Sequence, residues 1–345
     1  MTTTETSTER VRWGVLGVSW VNQLTLPGLV SADNAELVAI ASFQDDAAKE
    51  EAARWGAATW YQGFDRLLED PEIEAVYLPL PNIRHADWTI RALEAGKHVL
   101  CEKPLAPSSD QIRSIAAAAR KADRLVLEAL MYRFTPRWQR ALELVRAGAV
   151  GDPRVARLGL AFKQHYEGYN IRFDPAAAGG VIWDMGCYGV DMARELLPGP
   201  VRSVTATTWS RPGEQVETSA EAILRFDEGR TALINISFDY PNPYAQAELL
   251  GTDGWLTMPG SGMRREPFTR LLWHTYGDEV FLDGIEPVTE SFPDVSAYRL
   301  EIEHLSHCIR TGDPLRYSLE GSLENARVLE AMFTSAERGT TVELD

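Results

Sequence analysis

Three chemically distinctive residues stand together where a strand-like run, KHVL, gives way to Glu102, Lys103 and Pro104. Lysine and glutamate are almost never fully buried unless paired, and proline cannot continue a central strand. The strand therefore ends at about Cys101. An amine and a carboxylate can move protons or hold charge, so the segment that follows is either a turn or a site.

A second candidate pair is Asp184 and Tyr188, which follow the glycines Gly179 and Gly180. On a helix, a spacing of four residues puts both side chains on one face. Oxidising an alcohol requires removal of its O–H proton, and a nearby ammonium favours the phenolate of a tyrosine, which otherwise titrates near ~10. A tyrosine in an apolar stretch is more often core, and the flanking aspartate and glycines favour a site.

A third candidate is the turn after the first apolar run, where a helix N-terminus could hold a pyrophosphate. Aligned on the dinucleotide fingerprint G-x-G-x-x-G, the turn keeps Gly17, has Ser19 at the second glycine and has Asn22 at the third. Ser19 still allows close approach, whereas Asn22 predicts looser helix–strand packing than glycine. On this turn alone, a plain strand-to-helix turn is at least as good an interpretation as a cofactor site.

The adenosine ribose would lie near the segment SFQDD, residues 42–46. Asp45 or Asp46 could accept from a ribose 2′-OH, and no arginine stands there to hold a 2′-phosphate. Ser42 and Gln44 suit either form, so the choice between NAD and NADP stays open.

The elements that must position these residues fall into two groups, because the pattern of apolar runs and turns changes along the chain. Apolar runs at 11–18, 35–42, 74–80, 97–102 and 124–130 alternate with helical patterns, which predicts a doubly wound parallel sheet. Later strand candidates at 154–162, 201–209, 220–226, 230–238 and 269–276 are separated mainly by turns, which favours a mostly antiparallel sheet. We expect a disordered tail over 1–10, a Rossmann domain over 11–133 and a substrate-binding and oligomerisation domain over 134–345, whose final helix is able to pack back on the first domain.

Composition excludes several classes of partner. The net charge of −16 in 345 residues argues against nucleic acid and anionic membranes, which would repel the protein. The start of the chain has no apolar signal segment, and the odd number of cysteines, three, predicts reduced thiols in a cytoplasmic protein. The six histidines have no metal-ligand spacing, so we expect no metal.

The motifs together resemble one family. The Gly17 turn, P-N-x-x-H at 81–85, E-K-P at 102–104, EALMYRFTP at 128–136 and the segment 178–196 resemble the Gfo/Idh/MocA family of nicotinamide-dependent sugar and polyol oxidoreductases. Many members have histidine where this chain has Tyr188, so it is more similar to the branch with glucose-fructose oxidoreductase, dihydrodiol dehydrogenase and xylose dehydrogenase. The resemblance implies a Rossmann domain, an α/β domain with a large open antiparallel sheet, NAD or NADP as cofactor, and a homodimer or homotetramer.

The resemblance also implies residue roles. Lys103 approaches the substrate hydroxyl and the nicotinamide ribose, Glu102 pairs with or orients it, and Pro104 fixes the turn through a cis bond. Tyr188 transfers the proton, and Asp184 accepts from a neighbouring hydroxyl. The expected cofactor-binding residues are Gly17, Ser19, Trp20, Val21, Ser42, Phe43, Pro81, Asn82, His85, Glu102 and Lys103. The expected substrate-binding residues are Arg133, Tyr166, Arg172, Asp184 and Tyr188.

The leading hypothesis is an NAD(P)-dependent dehydrogenase that oxidises a neutral aldose or cyclic polyol at C1. A neutral substrate is favoured because no cluster of Lys and Arg suits a sugar phosphate. One alternative is a C3 ketoreductase or dehydrogenase of a glycoside or nucleotide-linked sugar. Others are a cofactor-sensing regulatory protein and a glycosidase that uses bound nicotinamide transiently.

Overall fold

The computed structural model of the chain describes residues 9–165, 168–241, 246–259, 269–276 and 286–345. These residues form two compact units. The first comprises the described residues up to Met131 together with Val295–Glu324, and the second comprises the described part of Tyr132–Asp294 together with Asn325–Asp345. Most of the predicted tail, residues 1–8, lies outside the described residues.

The first unit is built on a parallel sheet. Its described strands are β1 (Val11–Leu16), β2 (Ala35–Ser42), β3 (Thr59–Gln62), β4 (Ala75–Leu78), β5 (His98–Glu102) and β6 (Val126–Ala129). Their order is β3-β2-β1-β4-β5-β6, and every neighbouring pair is parallel. The strand order reverses between β1 and β4, so their carboxyl ends border the crevice where such sheets bind ligands. The predicted doubly wound sheet is confirmed.

The helices of this sheet connect successive strands. They are α1 (Asn22–Ser31), α2 (Asp45–Trp55), α3 (Phe64–Leu68), α4 (Asn82–Glu94) and α5 (Ser109–Ala122). All four residues of β4 are buried, as expected for a strand that is covered on both faces and therefore reads as a continuous apolar run. The edge strand β3 alternates between half-buried and exposed residues, and the sequence pattern does not predict it.

The second unit contains a mixed sheet. Its described strands are β7 (Pro153–Ala161), β8 (Val201–Trp209), β9 (Ser219–Phe226), β10 (Thr231–Ser237), β11 (Gln246–Gly251), β12 (Gly254–Pro259), β13 (Thr269–Thr275), β14 (Val288–Phe292) and β15 (Val342–Glu343). Their order is β14-β13-β12-β11-β7-β10-β9-β8-β15, in which β7 and β10 are parallel and the other pairs are antiparallel. The predicted mostly antiparallel sheet is confirmed.

Helices cover one face of this sheet. The second unit contains α6 (Pro136–Arg146) and α7 (Cys187–Leu196), and α7 lies against β7 and β10. On β9, Ala220, Ala222 and Leu224 are buried while the alternate residues, such as Ile223, are exposed. The opposite face of the sheet is therefore open in the single chain.

The last two helices are α8 (Ala297–Thr311) and α9 (Leu319–Arg338). Helix α8 belongs to the first unit, where Trp13 donates its indole N–H to the Ser306 hydroxyl at 3.1 Å and Arg310 pairs with Glu74 at 2.7 Å. Residues 295–324 thus lie in the first unit. The expected second domain, 134–345, includes them, with the final helix able to pack back on the first domain. No described helix is long and apolar enough to span a bilayer.

Candidate active site

The turn after β1 is shaped by Gly17. Its φ of +135° is a backbone conformation that favours glycine. The Gly17 N–H donates to the Ala41 carbonyl at 2.9 Å, and a Cβ added at Gly17 would lie 3.0 Å from a methyl group of Leu80. Beyond it, Ser19 is half-buried and Trp20 is 65% exposed. Backbone conformation and close packing therefore both require the first glycine of the fingerprint.

Asn22 replaces the third glycine and holds the turn together. Its side chain, which is fully buried, donates to the Gly17 carbonyl at 3.1 Å and to the Glu51 carboxylate at 3.3 Å. The packing is therefore not simply looser, as the sequence predicts, because the amide adds hydrogen bonds that glycine could not make. Val21 precedes α1, and in the described part of the chain no side chain caps this helix. An uncapped helix N-terminus beside a backbone turn fits the pyrophosphate of NAD or NADP.

An aromatic surface follows β2. The Ser42 hydroxyl accepts the N–H of Gln44 at 3.2 Å, which fixes the start of the loop. The Phe43 ring is 64% exposed and packs against Phe64, with 4.4 Å between ring centroids. Phe64 in turn contacts Trp88 edge to face at 4.8 Å. The carboxyl end of β2 is where this fold holds the adenosine, and an exposed ring on a packed aromatic pair fits that group.

The E-K-P turn is held by Glu102. One carboxylate oxygen of Glu102 accepts the Tyr77 hydroxyl at 2.7 Å, and the other accepts the backbone N–H of Lys103 at 3.2 Å. The Tyr77 hydroxyl also lies 3.0 Å from the Thr25 hydroxyl on α1. Burial, together with the charge of Glu102, raises the pKa of Tyr77 well above its usual value, so Tyr77 is a neutral donor. The Lys103–Pro104 bond is cis.

His85 connects the P-N-x-x-H turn to the E-K-P turn. One ring nitrogen lies 2.7 Å from the Pro104 carbonyl and the other lies 2.8 Å from the Leu80 carbonyl. Burial lowers the pKa of His85, and the two carbonyls oppose that shift. Because its side chain is fully buried, this geometry favours a role in holding the two turns rather than direct contact with a cofactor. Pro81 and Asn82, at the start of α4, are half-buried.

In the second unit, Asp184 lies on the π-helical turn Ile182–Gly186 and Tyr188 lies in the first turn of α7. The predicted α-helical spacing therefore spans a change of helix type, and such π-turns occur frequently at functional sites. The Asp184 carboxylate accepts the Arg172 Nε–H at 3.0 Å. The side chains of Arg172 and Asp184 are 32% and 15% exposed to solvent, so solvent reaches both groups of the pair.

Arg133 is part of a buried network. Its guanidinium donates from two nitrogens to the Asp191 carboxylate, which also accepts from the Tyr132 hydroxyl and from the Asn325 amide. Burial opposes ionisation of Asp191, but Arg133 and the hydrogen bonds outweigh it and lower the pKa of this carboxyl. The Tyr132 ring lies 6.0 Å from the Tyr188 ring. With Arg133 only 2% exposed, this arrangement favours a structural role over the predicted substrate contact.

The last predicted substrate-binding residue, Tyr166, lies in the segment 163–175, which also contains the polar residues Tyr169 and Asn170. Tyr166 lies outside the described residues. The Tyr169 hydroxyl donates to Asp174 at 2.8 Å while its ring stays 73% exposed. Asn170 accepts the backbone N–H of Arg172 at 3.0 Å, which fixes the loop that presents the guanidinium to Asp184.

Two family models match the two halves of the chain. Residues 11–130 match the oxidoreductase family with an NAD-binding Rossmann fold, and residues 138–257 match the GFO/IDH/MocA C-terminal domain. The chain belongs to the GFO/IDH/MocA oxidoreductase family. This confirms the resemblance carried by the sequence motifs, and with it a nicotinamide dinucleotide as the cofactor class.

Relatives of this family member include named sugar oxidoreductases. The chain is 36% identical to D-xylose 1-dehydrogenase (NADP(+)) 2 of Haloferax volcanii, over 96% of this chain and 99% of that protein. It is 30% identical to a dTDP-3,4-didehydro-2,6-dideoxy-alpha-D-glucose 3-reductase of Actinomadura kijaniata, over 94% and 96%. Its structure is similar to that of an aldose-aldose oxidoreductase from Caulobacter crescentus complexed with glycerol, with a TM-score of 0.88, 26% identity and coverage of 97% and 100%.

Sequence reasoning misses several residues that position the candidate groups. Tyr77 sits in the run AVYLPL, where it reads as an ordinary strand residue, and no local signal points to its bond with Glu102. Glu217 likewise follows a polar loop with no motif around it, although its carboxylate reaches the backbone N–H of Ile182 at 3.0 Å. Across the described residues, no group of three His, Cys, Asp or Glu side chains is arranged to hold a metal ion.

Proposed function

We propose that this family member is an NAD(P)-dependent dehydrogenase that oxidises a neutral aldose or cyclic polyol, at C1 in the case of an aldose. The observation that carries the proposal is the E-K-P turn of an NAD-binding domain, in which Glu102 accepts the backbone N–H of Lys103 at 3.2 Å. The aldose substrate class is supported by the relationship to a D-xylose 1-dehydrogenase at 36% identity.

The reaction removes a proton from the substrate hydroxyl while the hydrogen on the same carbon leaves together with its bonding electron pair. The nicotinamide, when bound, supplies the acceptor for that pair. Tyr188 takes the hydroxyl proton, and the ammonium of Lys103 stabilises the negative charge that develops on oxygen. Asp184 accepts from a neighbouring substrate hydroxyl, and Arg172, which donates to the same carboxylate at 3.0 Å, orients it.

The turn after β1 and the aromatic surface after β2 would hold the cofactor. The backbone N–H groups of Ser19, Trp20 and Val21 would receive the pyrophosphate at the N-terminus of α1, and Gly17, whose own N–H donates to Ala41, would allow its close approach. Ser42 and Phe43 would meet the adenosine, with the Phe43 ring, 64% exposed, as its apolar support.

A second candidate function is reduction or oxidation at C3 of a glycoside or nucleotide-linked sugar. It is favoured by a 30% identical dTDP-sugar 3-reductase and by the structure of KijD10, a 3-ketoreductase from Actinomadura kijaniata in complex with NADP and TDP-benzene, at a TM-score of 0.85 and 27% identity. The same proton-transfer residues serve both directions of a reaction between alcohol and ketone. The substrate panel described next separates the two functions.

The test measures reduced-nicotinamide absorbance with NAD or NADP against free aldoses, polyols and glycosides, together with the reverse reaction on keto-sugars. We expect wild-type turnover, and a loss of about 100-fold or more in Lys103→Met, which removes the charge that stabilises the developing oxyanion, and in Tyr188→Phe, which removes the group that takes the proton. Lys121→Met, at an exposed lysine of α5, is the matched control and keeps full activity. Tight cofactor binding with no turnover on any substrate would instead support a cofactor sensor.

The proposed enzyme is cytoplasmic and forms a homodimer or homotetramer. Reduced, buried thiols at Cys101, Cys187 and Cys308 support a reducing compartment. The open face of the second sheet supports self-association, since it exposes Trp209, Ile223 and Leu233 by 51%, 37% and 38%. Size-exclusion chromatography with light scattering tests this, and a monomer at micromolar concentration would contradict it. The net charge of −16 makes nucleic acid and anionic membranes unfavourable partners.

A further inference from the structure

Glu217 holds two consecutive backbone groups at the start of the turn that carries Asp184. Its carboxylate accepts the N–H of Ile182 at 3.0 Å, and its backbone carbonyl accepts the N–H of Val181, also at 3.0 Å. The first N–H groups of a helical segment have no partner within the segment. Glu217 therefore acts on this turn as a capping residue does, although it comes from a distant part of the chain.

Gly180 provides the space for this carboxylate. A Cβ added at Gly180 would lie 2.2 Å from the Glu217 carboxylate oxygen, and the φ of Gly180 is +105°. The Gly180 N–H donates to the Arg172 carbonyl at 2.8 Å. The second glycine of the G-G pair is thus required by the fit of Glu217 against the backbone, which gives this motif a physical reason.

The same contacts connect Glu217 to the groups that would meet substrate. Arg172 accepts from Gly180 through its carbonyl and donates through its side chain to Asp184 at 3.0 Å. Glu217, the loop that presents Arg172 and the turn that carries Asp184 therefore form one connected set. A shift of the turn at Ile182 would move the Asp184 carboxylate relative to its partner.

We propose that Glu217 is a positioning residue, which fixes the start of the Ile182–Gly186 turn and thereby sets the Arg172–Asp184 pair for binding a sugar hydroxyl. The inference rests on the proposed function for its kinetic consequence. Its structural consequence, an ordered turn, does not depend on which substrate is used.

The titration of Glu217 gives the proposal a pH dependence. Burial raises the pKa of Glu217 to about 7, and hydrogen bonds from the backbone N–H groups of Ile182 and of Glu217 itself limit the rise. Charged side chains on the neighbouring segments are paired with one another, Arg172 with Asp184 and Arg211 with Asp239. An ionised carboxylate is a stronger acceptor than its protonated form and is favoured at a helix N-terminus. Sugar binding should therefore weaken as the pH falls through about 7.

The kinetic test compares Glu217→Ala and Glu217→Gln with wild type. Glu217→Ala removes the carboxylate that accepts the Ile182 N–H. We expect the KM for the sugar to rise by about tenfold, as for loss of a helix cap, and the Kd of the nicotinamide cofactor to stay unchanged. In Glu217→Gln the amide oxygen still accepts the Ile182 N–H but carries no charge, so at pH 8 the KM should lie between those of wild type and Glu217→Ala, and it should not depend on pH between 6 and 8. Glu221→Ala, on an exposed position of β9, is the matched control.

Hydrogen exchange of peptides covering 180–190 provides a readout without turnover. We expect faster exchange there in Glu217→Ala than in wild type, and a smaller increase in Glu217→Gln, which keeps the hydrogen bond to Ile182 without the charge. A lower Tm in Ala with unchanged sugar KM and unchanged exchange in this segment would overturn the proposal, since a merely structural residue behaves that way. If wild type turns over no sugar, the proposed function fails, and the exchange result alone decides the role of Glu217.

Discussion

Removal of the buried charge at Asp191 offers a sharp test of how the second unit is held together. Asp191 accepts two hydrogen bonds from Arg133, one from the Tyr132 hydroxyl and one from the Asn325 amide at 2.8 Å. Asp191 and Arg133 are each only 2% exposed. Asp191→Asn keeps the shape of the side chain but leaves the Arg133 cation buried without its counter-charge.

The expected loss of stability is large because Arg133 is buried, so water cannot replace the missing Asp191 charge. Breaking a buried ion pair by removing one charge costs about 3–5 kcal/mol, and we expect the lower end because asparagine still accepts one hydrogen bond. For a unit of this size, 1 kcal/mol corresponds to about 2–4 °C, so the Tm should fall by about 6–12 °C. The pKa of Asp191 is lowered in the fold. Its contribution is therefore present above the unfolded value of about 4 and is lost as the pH falls through the folded value.

The assay is thermal unfolding, monitored by circular dichroism, at pH values between 3 and 8. The matched control is Asp227→Asn, which breaks the exposed Arg202–Asp227 pair, with side chains 50% and 43% exposed, and should leave the Tm nearly unchanged. A double variant, Arg133→Met with Asp191→Leu, removes both charges and should recover most of the loss. Equal Tm shifts for Asp191→Asn and Asp227→Asn would refute the reasoning. A raised sugar KM in Arg133→Met without any loss of stability would restore Arg133 to substrate binding.

Three further predictions concern the first unit. Asn22→Gly restores the glycine of the fingerprint but removes the hydrogen bond to the Gly17 carbonyl, so it should weaken cofactor binding, and tighter binding by fluorescence titration would contradict this. Tyr77→Phe removes the hydroxyl that donates to one oxygen of Glu102 at 2.7 Å and should lower the free energy of unfolding in urea by about 1–3 kcal/mol, whereas an unchanged midpoint would show that this bond contributes nothing. Burial raises the pKa of the Cys101 thiol, so iodoacetamide at pH 8 should leave it unmodified in the native protein, and rapid labelling would disprove this burial.

The strands that the sequence predicts best are those whose environment repeats along the chain. The run EAVYLPL contains β4, whose four residues are all buried, and alternation marks β9, where one face is buried and the other is exposed. The pattern is weak where a strand is short or at an edge, as for β3 and β14, which have few buried residues. The sequence pattern also does not predict that α8 lies in the first unit, because nothing local to 297–311 encodes a contact with Trp13.

The sequence by itself determined the family and the candidacy of the Gly17 turn and of Lys103, because local turn chemistry and motif spacing are written in consecutive residues. Only the tertiary structure decided what holds those residues. It brought Tyr77 to Glu102 across 25 positions and Ile182 to Glu217 across 35. A buried polar group must find a hydrogen-bond partner, but composition and periodicity do not say which of many distant residues the fold will bring to it.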